Sequence, residues 1–241
     1  IMKFILTSII LFSIILLGAC SDKNSSSKNS VTPAPSKITV QDKKQRFREL
    51  LVPAVTKAYN RLYKRYIEVK NKIEQKRDGT RITLLKKEYK ASSDQELLAA
   101  LKPHPISIAL AQAAMESAWG TSRFFRDANN VFGVWSFDSN EPRIAANQKR
   151  DNKTIWVKRY NDITESVLDY YRVIAKGDAF SAFRTLRLNN NDPFILVSKL
   201  DRYSERGSEY GKELAAMIRF NKFDSYDQHS NQPVLSTTSN K

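Results

Sequence analysis

Hydrophobic positions recur at helical spacing from Gln41 to Leu51 and again from Val55 to Arg77, predicting two helices with a break or tolerated kink at Pro53. Phe47, Leu50, Leu51, Val55, Ala58, Leu62, Tyr66 and Val69 form one packing stripe along them, which suits a structural role. Asp78-Gly79 ends this region, and one or two shorter helices between Leu84 and Leu101 lead to Pro103-His-Pro105. Next, Ile106, Ala109, Leu110, Ala113, Ala114 and Met115 predict an apolar helix that stops at Gly120, with Thr121 capping a short successor. The β-branched and aromatic stretches Val131–Phe137 and Ile155–Tyr160 predict paired strands flanking a polar segment, a small β-lobe. Asp162 and Thr164 then open a helix through Ile174, Asp192-Pro193 opens another to Leu200, and Gly207 to Phe220 reads as an amphipathic helix.

The two ends of the chain have a different texture. Residues 1–20 carry one lysine, then an uncharged, mainly apolar run from Phe4 to Leu17, too short for a comfortable membrane span. Leu17-Gly-Ala-Cys20 closes the run and resembles lipobox sequences, which implies that Cys20 becomes a lipidated first residue after signal cleavage. Residues 21–38, rich in Ser, Asn, Lys and Pro, predict a flexible tether, residues 39–226 a single folded body, and residues 227–241 a disordered tail. With Cys20 as the sole cysteine, that body has no disulfide and depends on its core. Its expected location is the bacterial cell envelope, facing the periplasm and held to the membrane by the lipid.

A formal charge of +15 calls for acidic partners. For an exported chain these are anionic wall polymer and lipid head groups, with no nucleic acid expected.

Candidate chemistry narrows by elimination. His104 and His229 are the only histidines, so neither a Ser-His-Asp nor a Cys-His arrangement is expected, and zinc lacks ligands. The seven glycines form no nucleotide-binding loop, and no cofactor or metal is expected. Carboxylate catalysis remains. Glu116 stands alone in the apolar, alanine-rich helix, where burial disfavours the ionised form and would make the group a proton donor near neutral pH. Gln112, four residues earlier, shares its helical face.

The run Ala-Gln-Ala-Ala-Met-Glu-Ser-Ala-Trp-Gly-Thr-Ser-Arg-Phe-Phe around Glu116, followed by Asn-Asn-Val-Phe-Gly-Val-Trp ending at Trp135, resembles the signature of the bacterial cell-wall glucosaminidases of glycoside hydrolase family 73, in particular their Bax-type branch. The stretch from Tyr203 to Asn221 resembles the same branch's C-terminal motif. The resemblance, over roughly residues 42–224, implies an α+β, mostly α fold: a lysozyme-like helical body with a small β-lobe. It also implies an endo-β-N-acetylglucosaminidase, expected to be monomeric, that hydrolyses the glycan strands of peptidoglycan. Glu116 would be the general acid and Tyr203 an active-site tyrosine, with Gln112, Trp119 and Trp135 on the substrate. Phe132 and Trp156 add further aromatic faces for sugar stacking.

Glycosidases commonly use a second carboxyl group, and Asp138, Glu141 and Asp151 of the β-lobe are the candidates, with Glu141 preferred. Alternatively, the substrate's own N-acetyl carbonyl attacks the anomeric carbon and no second carboxylate is needed. Two other functions fit the same residues: a lytic transglycosylase, which needs one glutamate, and a non-catalytic wall-binding lipoprotein.

Overall fold

The computed structural model describes residues 38–150 and 153–228; Cys20, His229, Asp151 and the proposed signal and tether up to residue 37 lie outside them. The chain folds as α1 (Val40–Glu74), α2 (Gly79–Tyr89), α3 (Asp94–Leu101), α4 (Ile106–Glu116), α5 (Arg123–Ala128), β1 (Arg143–Arg150), β2 (Lys153–Lys158), α6 (Ile163–Lys176), α7 (Ser181–Asn189), α8 (Pro193–Leu196) and α9 (Ser208–Asn221). The architecture is mostly helical with one two-stranded sheet, as the mostly-α, lysozyme-like reading requires.

Pro53 does not divide the first helix. α1 continues through it for 35 residues, opened by a capping box between Thr39 and Asp42. The neighbouring helices packed along α1 supply the stability that an internal proline removes. Phe47, Leu51, Val55, Ala58, Tyr66 and Val69 are buried as the stripe predicts, whereas Leu50 stays 39% exposed.

The β-lobe is rearranged relative to the sequence reading. Its hairpin pairs β2 with Arg143–Arg150, the segment whose polarity hid a strand, with a bulge between Ala145 and Lys149. The predicted partner, Val131–Phe137, is instead an irregular arm along the other side of β2. It touches β2 through a single bridge between Trp135 and Val157, with Ser136 N–H donating to Trp156 C=O at 2.8 Å and Lys158 N–H to Val134 C=O at 3.0 Å. The buried Asn130 holds the arm: its amide nitrogen donates to the carbonyls of Val134 and Lys158 at 3.0 and 2.9 Å. Such side-chain bonds to the main chain replace a ladder that the sequence could not complete.

α4 is the axis of the body. Nine consecutive residues, Ile106 to Ala114, are buried, because alanines allow other helices to approach on every side. α1, α9 and the turn Phe223–Tyr226 pack on it. That turn extends the body to Asp227, assigned to the tail by the sequence reading, whose carboxylate accepts from Ser107 N–H at 2.9 Å at the start of α4.

Candidate active site

Glu116 is the last residue of α4, not one turn inside it. The chain leaves the helix there through a tight turn in which Ala118, Trp119 and Gly120 all have positive φ, +50°, +61° and +74°. For the two non-glycine residues this conformation is unfavourable and needs support from its surroundings. Ser117 supplies it by donating its hydroxyl to Ala113 C=O at 2.6 Å and accepting Gly120 N–H at 2.8 Å. The cap of α5 is then Ser122, one residue later than predicted, accepting from Phe125 N–H. The turn thus fixes Glu116 at the exit of a buried helix.

Behind Glu116 runs a polar chain through the core. Tyr210 donates its hydroxyl to Glu116 Oε1 at 3.0 Å and accepts from Gln112 Nε2 at 3.0 Å. Tyr170 donates to Gln112 Oε1, and the Tyr170 oxygen lies 2.9 Å from His104 Nε2. Because the Tyr170 proton is committed to Gln112, His104 must carry its proton on Nε2 and donate. Its Nδ1 then accepts from Arg187 Nη1 at 3.5 Å. Every bond in the chain therefore points the same way, from the Arg187 guanidinium to the Glu116 carboxylate.

Burial pushes the Glu116 carboxyl up to about 7, outweighing the Tyr210 hydrogen bond and the Arg206 charge, which both lower it. Burial also holds His104 well below its ordinary range, so it is neutral, in keeping with that single tautomer.

The predicted residues fall into two groups. Gln112 is fully buried and bonded to Tyr210 and Tyr170, behind Glu116. Tyr203, also buried, stacks on Tyr210 with ring centres 5.4 Å apart. Trp119 is half-buried, edge-on to Phe47 at 5.2 Å, with Lys44 Nζ 4.8 Å from its ring centre. Phe132 is enclosed and stacked on Tyr170 at 3.9 Å, so its face is taken by protein.

The second group belongs to the hairpin side. Trp135 is half-buried and 6.1 Å from Phe137, a ring 74% exposed that the sequence reading did not single out. Arg143 lies over Trp156 at 4.4 Å. Glu141 pairs with Lys158 at 3.3 Å, and Lys158 also reaches Asp169 at 3.2 Å. Asp138 is exposed and accepts Asn140 N–H. Asp138 and Glu141 thus make their contacts on the hairpin side.

Tyr210 and Arg206 are the residues that sequence reasoning missed. Both lie in the quoted C-terminal motif, and the signal was a second tyrosine seven residues after Tyr203. Gly211 sets Tyr210 in place: a Cβ there would come within 2.6 Å of Val197 C=O, so only glycine lets α9 lie this close.

The chain is similar to known proteins over much of this body. Residues 91–223, which hold Glu116, Gln112, Tyr170, Tyr203 and Tyr210, match the family described as mannosyl-glycoprotein endo-beta-N-acetylglucosaminidase. Protein bax of Escherichia coli is 31% identical over 127 residues, 49% of this chain and 43% of that protein. Exo-glucosaminidase LytG of Bacillus subtilis is 26% identical over 130 residues, 51% of this chain and 46% of that protein. The chain thus aligns with less than half the length of these curated relatives. The catalytic domain of the autolysin Auto from Listeria monocytogenes shares the fold, with a TM-score of 0.50 at 18% identity, over 82% of this chain and 92% of that one. With the family match spanning more than half its length, the chain belongs to the Glucosaminidase family.

Proposed function

We propose that the protein is an endo-β-N-acetylglucosaminidase of peptidoglycan glycan strands in which Glu116 is the general acid. The observation that carries this reading is a lone carboxyl raised to about 7 at the exit of a buried helix, inside the family match. Such a group holds its proton near neutral pH and can deliver it to the departing glycosidic oxygen. With Glu141 paired to Lys158 and Asp138 bonded to Asn140 N–H, the substrate's N-acetyl oxygen is the nucleophile favoured here. It attacks the anomeric carbon as the C–O bond to the leaving sugar breaks and Glu116 protonates the departing oxygen. The Glu116 carboxylate then takes a proton from the water that opens the cyclic intermediate. Tyr210 holds Glu116 in place, Gln112 holds Tyr210, and Tyr170 holds Gln112. Lipid on Cys20 anchors the body in the cell envelope.

Digestion of purified sacculi, with mass analysis of the new chain ends, tests the reaction. Reducing-end N-acetylglucosamine released by the wild type and not by folded Glu116→Gln is the expected result. Release of 1,6-anhydro-muramyl ends would identify a lytic transglycosylase instead, and no release at all would leave wall binding as the function. Loss of acyl mass from Cys20→Ser checks the anchor.

A further inference from the structure

A recess of about 410 Å³ opens towards the start of α4, where residues of α1 and α2 face residues of α3, α6 and α7. Six cationic side chains and two carboxylates line it. Two of those cations are matched, Arg65 by Glu88 at 3.8 Å and Arg172 by Asp169. Among the described residues Arg61, Lys102 and Arg187 form no ion pair, Arg81 feels the charge of Asp78 just outside the recess, and Glu68 is the one unpaired carboxylate of the wall.

Arg187 is the decisive member. It is 1% exposed, donates through Nη2 to Ala99 C=O at 2.7 Å and at the limit of reach to His104, and its Nε has no partner. Lys102 donates its ammonium to the main-chain carbonyls of Arg187 and Leu188 at 2.9 and 3.0 Å, and the guanidinium charge acts on it. A guanidinium withdrawn from water without a counter-ion, beside a second cation, is costly to keep unless an anion joins it. Burial and the neighbouring cations lower both groups' affinity for protons, Arg187 to about 9 and Lys102 below its ordinary range, so both remain cationic at neutral pH.

We propose that this recess binds the phosphate group of an anionic ligand, with Arg187 as its buried cation and Arg61, Arg81 and Lys102 around it. A carboxylate has two oxygens, which one arginine fork can satisfy. Phosphate offers more acceptor oxygens and up to two charges, matching donors delivered from α1, α2, α7 and the end of α3. Two of those helices, α1 and α2, precede the family match, so the site is built jointly by the glucosaminidase region and the extension before it.

Calorimetric titration of the full-length chain with inorganic phosphate at low ionic strength tests the proposal. One saturable site with Kd below about 1 mM is expected. The Arg61→Gln/Arg81→Gln pair, both exposed residues whose loss leaves the fold intact, should weaken binding at least about tenfold, since the site is held by charge. Glycerol 3-phosphate and a glycerophosphodiester, titrated alongside, distinguish a monoester source from a lipid or polymer diester by which binds tighter. Absence of saturable phosphate binding, equal binding of succinate, or binding unchanged in the double variant would each overturn the assignment.

Discussion

The two ends of α4 bury opposite charges, and the chain disposes of them differently. At the exit, Glu116 loses its charge by keeping a proton, so burial leaves the carboxyl protonated up to about pH 7. At the entrance, Arg187 stays cationic at neutral pH even when pushed down to about 9, so burial there creates a demand for an anion. The same polar chain connects them, through His104, Tyr170, Gln112 and Tyr210. Desolvation therefore leaves a proton available where the group can neutralise itself, and an unmet positive charge where it cannot.

Breaking the acid end should have the largest effect. Glu116→Gln is expected to retain the fold and lose roughly 10² to 10⁴ of the rate on purified glycan strands, the usual size of general-acid assistance. In the wild type the same proton should give activity that declines as pH rises through about 7. A flat rate between pH 6 and 9 would mean that another group supplies the proton.

The second effect is on stability and has the opposite sign. The Glu116 pKa is raised on folding, from 4.5 to about 7, so its contribution is fully present below pH 4.5 and is lost as pH climbs through 7. At pH 8 the folded protein must hold a half-buried carboxylate that Glu116→Gln lacks. The variant should then be the more stable by on the order of 2–3 kcal/mol at pH 8 and nearly equal to wild type at pH 4, measured by urea unfolding. Equal stability at both pH values would show that the carboxyl is well solvated.

The acid end was legible in the sequence because one charged residue interrupts an apolar helical period. The capping residue Asp162 and the stripe along α1 followed from the same periodic signal, whereas the break at Pro53 and the end of α4 did not. The entrance was not legible: Arg187 lies on α7, a helix the polar text of 178–192 concealed, and its partners come from residues more than 80 positions away. Tyr210 was missed for a related reason, since its bond to Glu116 joins residues 94 positions apart and leaves no local pattern. The hairpin failed differently. β1 carries the polar composition of a solvent-facing strand, which periodicity assigns to a loop, while the aromatic arm that looked like a strand is held by Asn130 side-chain bonds.

Arg187→Met sharpens the other side of the comparison. It keeps most of the side-chain volume while removing a buried charge and leaving Ala99 C=O without its donor. Those terms oppose one another, so unfolding free energy in phosphate-free buffer should stay within about 1.5 kcal/mol of wild type. Any stabilisation by added phosphate should vanish. A loss of about 4 kcal/mol or more would instead make the guanidinium a structural tie between α3 and α7, needing no ligand.

Tyr210→Phe probes the join between the two ends and should have the smallest effect. The substitution keeps the ring stacked on Tyr203 and removes one hydroxyl, the donor to Glu116 and the acceptor for Gln112. Because that hydrogen bond favours the carboxylate, losing it should raise the Glu116 pKa above about 7 and move the decline of activity to higher pH. Loss of one such bond is worth about 1 kcal/mol, a several-fold fall in rate below the decline, with Gln112 Nε2 left short of a partner adding to the cost in stability. The pH profile separates positioning from simple loosening: a variant that is slower at every pH with an unmoved decline would show that Tyr210 only packs, and that Glu116 gets its pKa from burial alone.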